Sequence, residues 1–163
     1  LEQPDPLSDV SVWREGMEFN LFNAIDLNNA LLPHMQAQKW GRICHISSIA
    51  SLENQGTPMY CAAKAALNAY IRSVGRYVSA DNVILTAVSP GAVFTQGGYW
   101  DKTTQTRPEH VEKYINERMA IKRFGTPDEI SEFVTFLVSD KASFAVGTNV
   151  LLDGGQGRVF FEG

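Results

Sequence analysis

The chain has 163 residues, 44% of them apolar, which is enough for one domain with a proper core. Its formal net charge of −4, with only 14 Lys and Arg, leaves no basic face for nucleic acid, and no apolar run approaches the ~18 residues of a membrane span. Cys44 and Cys61 lack metal-like spacing and read as free, mostly buried thiols; with no signal-peptide pattern at the start, a cytoplasmic setting is expected.

Residues 1–8 hold two prolines and read as a loop. From Asp9 or Ser11 to about Gln38 runs a helical pattern carried by Val12, Trp13, Met17, Phe19, Phe22, Ile25, Leu27, Leu31 and Leu32, apolar on more than one face. Asn20, Asn23, Asn28 and Asn29 lie within it; mid-helix Asn is mildly unfavourable, so most of the four are expected to face solvent. Residues 42–46, with Ile43 and Ile46, form a short apolar run that reads as a buried strand ending at Ser47 and Ser48. Residues 51–58 carry Gly and Pro and read as a loop. A helix dense in strong helix formers begins at Tyr60 and continues through Leu67, Tyr70, Ile71 and Val74 to about Ser79. Asp81 and Asn82 make a turn, and residues 83–88 form a second buried strand. Strand, helix and strand in that order make a βαβ unit, hence a parallel sheet.

The second strand stops at Ser89, Pro90 and Gly91, and residues 96–105 show no periodicity. Thr106 and Glu109, with Pro108 between them, have the spacing of a capping box opening a short helix to about Met119. Thr126 and Glu129 form a second such box, opening a helix through Ile130, Phe133, Phe136 and Leu137. Residues 148–152 are the last strand, and the tail from Gln156 onward holds Phe160 and Phe161, suited to packing or an interface.

Ligands of open α/β sheets bind beyond the carboxyl ends of strands, and both Ser48 and Pro90 stand at such ends. Tyr60 and Lys64 are four residues apart on one helical face. A strand end, a loop and a helix start can therefore bring Ser48, Tyr60 and Lys64 together. A phenol titrates near pH 10, and an ammonium fixed beside it favours the ionised form; a change of about 2–3 units corresponds to about 3–4 kcal/mol. A serine hydroxyl aimed at the same point can hold a carbonyl oxygen or its developing alkoxide. Such parts suit proton transfer coupled to oxidation of an alcohol or reduction of a carbonyl, with the hydride supplied by a cofactor. His34 and His45 have no acid–base spacing around them and read as structural.

The strand ending in Ser47 and Ser48, the loop, and Tyr60 followed by Lys64 four positions on resemble the short-chain dehydrogenase/reductase family, over essentially the whole chain. The run from Pro90 and Gly91 to Thr95 is similar to the family's Pro-Gly-x-x-x-Thr, and Asp153, Gly154 and Gly155 to its ending. The resemblance implies a single α/β domain over 1–163, with a Rossmann-type doubly wound parallel sheet. It implies NAD or NADP as cofactor, a small-molecule alcohol or carbonyl substrate, and a dimer or tetramer built on the Asn20 and Tyr60 helices, with no nucleic acid or membrane partner. Catalytic roles would fall to Asn20, Ser48, Tyr60 and Lys64, with Asn20 kinking its helix and holding a relay water. Tyr60, Lys64, Pro90, Gly91, Val93 and Thr95 would contact the cofactor. Residues between Gln96 and Met119 would cover the substrate, with Tyr99, Trp100 and Met119 as substrate contacts or as packing.

Two departures stand out. Ser48 lies twelve residues before Tyr60, one fewer than is usual in the family, so distance favours Ser47 and strand alignment favours Ser48. Ser48 is preferred, because loops absorb deletions more readily than strands, and strand alternation is expected to turn only one of the two toward the phenol. The second departure is the N-terminal mononucleotide-binding half: no Gly-rich strand–helix turn and no acidic residue for the adenosine ribose occur. They are expected in a longer polypeptide ahead of Leu1. A sugar-nucleotide epimerase or dehydratase, and a catalytically silent dinucleotide-sensing or structural member, are the alternative readings.

Overall fold

The computed structural model describes residues 7–158; the tail aromatics Phe160 and Phe161 and the first six residues of the N-terminal loop lie outside them. Asp9 opens the first helix, its carboxylate accepting the Ser11 N–H at 2.8 Å. The helix runs as α1 (Val10–Met17), a π-helical turn (Glu18–Phe22) and α2 (Asn23–Ala37) without leaving helical geometry. Then follow β1 (Gly41–Ile46), α3 (Pro58–Val78) and β2 (Val83–Pro90). Thr57 caps α3 with Pro58 at its first position, so this helix starts two residues earlier than its apolar pattern indicates.

The remaining elements are α4 (Tyr99–Thr106), α5 (Pro108–Arg118), α6 (Pro127–Leu137) and β3 (Asn149–Leu152). α4 occupies the segment expected to lack regular structure. The capping box expected at Thr106 is not formed, because Thr106 is the last residue of α4 and its hydroxyl donates to the Lys102 carbonyl instead. Arg107 alone separates the two helices and caps α5 without a side-chain hydrogen bond.

The three strands form one parallel sheet in the order β1, β2, β3. β2 is central and buried from Val83 to Ser89, and alternation divides its side chains between two cores. Val83, Leu85 and Ala87 pack with Leu21, Leu32, Leu67 and Ile71 beneath the N-terminal helices and α3. Val88 packs with Leu137 and Ala142 under α6 on the opposite face. Helices thus cover both faces, as a doubly wound α/β fold requires. The outer edge of β1 meets no strand among the described residues, and Ile46 is 51% exposed there. Among the described residues no helix is long and apolar enough to cross a membrane.

The second capping box forms as its sequence indicates. Thr126 Oγ1 accepts the Glu129 N–H, and the Glu129 carboxylate accepts the Thr126 N–H at 2.9 Å. Arg123 also clamps that carboxylate at 2.6 and 2.8 Å. Hydrogen bonds from Arg123, then from the Thr126 backbone, hold the Glu129 carboxyl at about 2, below its ordinary 4.5. Its contribution to stability is therefore full above the unfolded value and fades as pH falls through about 2. Glu129→Gln is expected to lower the denaturant midpoint at neutral pH, and the gap to wild type should close on acidification toward that value. A gap that stays constant with pH would contradict the pairing.

Candidate active site

The carboxyl ends of β1 and β2 open onto a groove of about 550 Å³. Ser48, Tyr60, Pro90, Gly91, Val93 and Thr95 all line it, so six of the eight sequence-derived site residues meet in one place. Ser47 lines it as well, although its own Oγ is buried. The chain leaves the strand at this point: Ser48 is the N-cap of a single 3₁₀ turn, Ile49–Ser51.

The two serines differ in what their hydroxyls do. Ser48 Oγ accepts the Ala50 N–H at 3.1 Å, leaving its own proton to donate into the groove. Ser47 is only 4% exposed, and its Oγ has no hydrogen-bond partner among the described residues. Ser51 braces the Ser48 backbone, donating to its carbonyl at 2.6 Å while accepting from Asn68 at 2.7 Å.

Tyr60 sits in the first turn of α3, its N–H bonded to Thr57 Oγ1 at 3.3 Å. One turn on, Lys64 Nζ lies 5.6 Å from the Tyr60 ring centroid and donates to the Ile46 carbonyl at 3.0 Å. Burial pulls the Lys64 pKa below its ordinary value. Lys64 itself does not line the groove, and neither does Asn20. Asn20 belongs to the π turn, which packs against α3, and its side-chain nitrogen donates to the Gly16 carbonyl at 2.9 Å. A π turn is a local distortion of the helical hydrogen-bond pattern.

Val93 forms an isolated parallel bridge with Gly125. The bridge uses the Ala92 carbonyl and the Phe94 N–H, at 3.0 and 2.9 Å from Gly125. Val93's own N–H and C=O therefore point to the opposite side, an adjacent donor and acceptor that fit a carboxamide. Gly91 is required by close approach: a Cβ there would lie 2.7 Å from Gln156 Oε1 and 2.8 Å from Asp153 Cα.

Trp100 lines the same groove and also a second one, of about 650 Å³, which Tyr99 and Tyr114 share. Met119, by contrast, is 2% exposed and packs near Gly154, so its role is packing. Three residues that matter here carried no local sequence signal. Asn28, expected at the surface, is 2% exposed and donates to Tyr70 Oη at 3.1 Å, with His45 Nε2 at 3.0 Å. An amide nitrogen only donates, so His45 Nε2 accepts, and burial followed by the Lys64 charge lowers the His45 pKa, in keeping with a neutral ring. Tyr114 and Gln156 are the other two. Cys44 and Cys61 are free and half-buried, and burial pushes the Cys44 thiol up.

A family model described as enoyl-(acyl carrier protein) reductase matches residues 6–156. Isoepoxydon dehydrogenase of Aspergillus clavatus is 32% identical over 145 residues, 88% of this chain and 56% of the relative. A 3-oxoacyl-(acyl-carrier-protein) reductase of Aquifex aeolicus is 33% identical over the same length and coverage. The NADP-bound structure of a 3-oxoacyl (acyl-carrier-protein) reductase from Agrobacterium tumefaciens C58 superimposes with TM-score 0.77 at 36% identity, over 83% of this chain and 52% of that one. L-sorbose reductase of Gluconobacter frateurii, solved with NADPH and L-sorbose, superimposes with TM-score 0.87 at 28% identity, over 97% and 63%. The chain belongs to the short-chain dehydrogenase/reductase family, as its motifs indicate. It spans about half the length of the curated relatives it matches.

The crowding at Gly91 yields a direct test. Gly91→Ala must displace either the Asp153 backbone or the Gln156 amide, and should cost about 1–3 kcal/mol in denaturant unfolding, the range for overpacking. Wild-type stability in this variant would contradict the close approach.

Proposed function

We propose that this chain carries the catalytic part of an NAD- or NADP-dependent oxidoreductase that interconverts a secondary alcohol and a carbonyl. One observation carries the reading: Ser48, Tyr60 and the outward-facing donor and acceptor of Val93 line one groove at the ends of parallel strands. The names of the relatives, reductases and a dehydrogenase among them, support the same class.

A bound nicotinamide cofactor supplies or takes up the hydride. The chain's own residues do the rest. Val93 is suited to hold the carboxamide, with Pro90, Gly91 and Thr95 forming the wall beneath it. Ser48 uses its free proton to hold the substrate oxygen, and Tyr60 donates a proton to that oxygen in the reductive direction. Lys64 keeps a positive charge beside the phenol, favouring its ionised form as the proton leaves, and its remaining N–H groups suit the hydroxyls of the cofactor ribose. Asn20 is assigned the water that links Lys64 to solvent. Phe19, Leu27 and Leu31 are exposed along the Asn20 helix, which supports self-association through that face and α3.

Nicotinamide absorbance, followed with NADH and NADPH over a panel of ketones and secondary alcohols, tests the reading on the intact protein. Tyr60→Phe should lower turnover by about 10²–10⁴-fold with the fold kept. Ser48→Ala should lower it by about 10²–10³-fold, and Ser47→Ala much less. Near-full rate in Tyr60→Phe sinks the assignment, and the reverse ranking of the serines moves the role to Ser47.

A further inference from the structure

Gln156 follows the Gly154 and Gly155 turn after β3 and is 3% exposed, yet every polar atom of its amide is used. Its Oε1 accepts the Ala92 N–H at 2.8 Å; a backbone N–H can only donate, so this contact fixes which end of the amide is oxygen. Its Nε2 therefore faces the other way, donating to Tyr114 Oη at 2.8 Å and to Gln55 Oε1 at 3.4 Å. Tyr114 Oη is thus an acceptor in this pair, and its own proton has no acceptor among the described residues.

Tyr114 lines the second groove, and its ring packs against Trp100, tilted by 49° with centroids 4.4 Å apart. That groove adjoins the reacting site in two places. Trp100 lines both, and Gly56, which lines the second, sits so close to Tyr60 that a Cβ would lie 3.0 Å from its ring. Burial, partly offset by the Arg118 charge, raises the Tyr114 pKa, which keeps the phenol protonated.

Building on the oxidoreductase reading, we infer that Tyr114 is a specificity-determining hydrogen-bond donor for a second oxygen of the substrate, with its hydroxyl turned into the groove by Gln156. The substrate class is a ketone or secondary alcohol bearing a further carbonyl, ester or hydroxyl oxygen, its carbon skeleton laid along Trp100. A simple alkyl ketone would leave that donor unpaired.

Ethyl 3-oxobutanoate and 2-heptanone have chains of equal length, and only the first carries the second oxygen. The intact wild-type protein with its cofactor is expected to prefer the oxoester in kcat/KM. Tyr114→Phe should lower kcat/KM for the oxoester by about three- to tenfold, the value of one neutral hydrogen bond, and leave 2-heptanone unchanged. Gln156→Leu, which frees the hydroxyl to rotate, should shift the same ratio in the same direction. Equal losses on both ketones in Tyr114→Phe, or no loss, overturn the role of Tyr114 and leave the oxidoreductase reading standing. Turnover of neither ketone by the wild type, with other members of the ketone and alcohol panel turned over, overturns the substrate class alone; turnover of nothing in the panel with NADH or NADPH overturns the oxidoreductase reading as well.

Discussion

Parallel pairing of β2 with β1 on one side and β3 on the other is the constraint on which the site depends. Ile46 stands opposite Val88, and Pro90 opposite Leu152, so the strands end level with one another. The pairing continues to the last residues before the groove, with Ser47 N–H on the Val88 carbonyl at 2.8 Å and Gly91 N–H on the Leu152 carbonyl at 3.0 Å. Because β2 is buried on both faces, a slip of one residue would exchange its two apolar sets and unmake both cores. The register that serves the core therefore also fixes where Ser48 and Val93 stand.

Around this frame, buried polar groups do the fine placement. Gln156 joins the loop after β2, the loop after β1 and helix α5 through one fully used amide. Ser51 ties Ser48 to Asn68 of α3, and Ser89 donates to Asn149 of β3 at 2.9 Å. A buried polar group costs about 1–3 kcal/mol when left unpaired, so each of these contacts resists drift of the element it holds. Apolar packing sets the layers; these directional bonds set the orientations at their ends.

Much of this was legible in the sequence wherever the signal was local. Tyr60 and Lys64 share a helical face because of their spacing alone, and Thr126 with Glu129 forms its box within four residues. The strands were readable as short apolar runs, and the parallel pairing of the first two followed from the βαβ unit. What failed was non-local. Thr106 has a capping spacing, but it is already inside a helix that lacks apolar periodicity. That helix is held by Trp100 against Tyr114 and Phe124, and by three threonines bonded back to the preceding turn. Asn28 and Gln156 are buried because of partners 17 to 101 positions away, which no window of sequence contains. The choice between the two serines could not be made locally, since distance pointed to Ser47 and strand alignment to Ser48.

The central claim is that this groove brings a nicotinamide and a carbonyl together for direct hydride transfer. Reduction of a ketone by the intact protein, with NADH or NADPH deuterated on one face of nicotinamide C4, tests it most directly. The account predicts deuterium at the carbinol carbon from one face of the ring and protium from the other. Deuterium lost to solvent, or delivered equally from both faces, would contradict it.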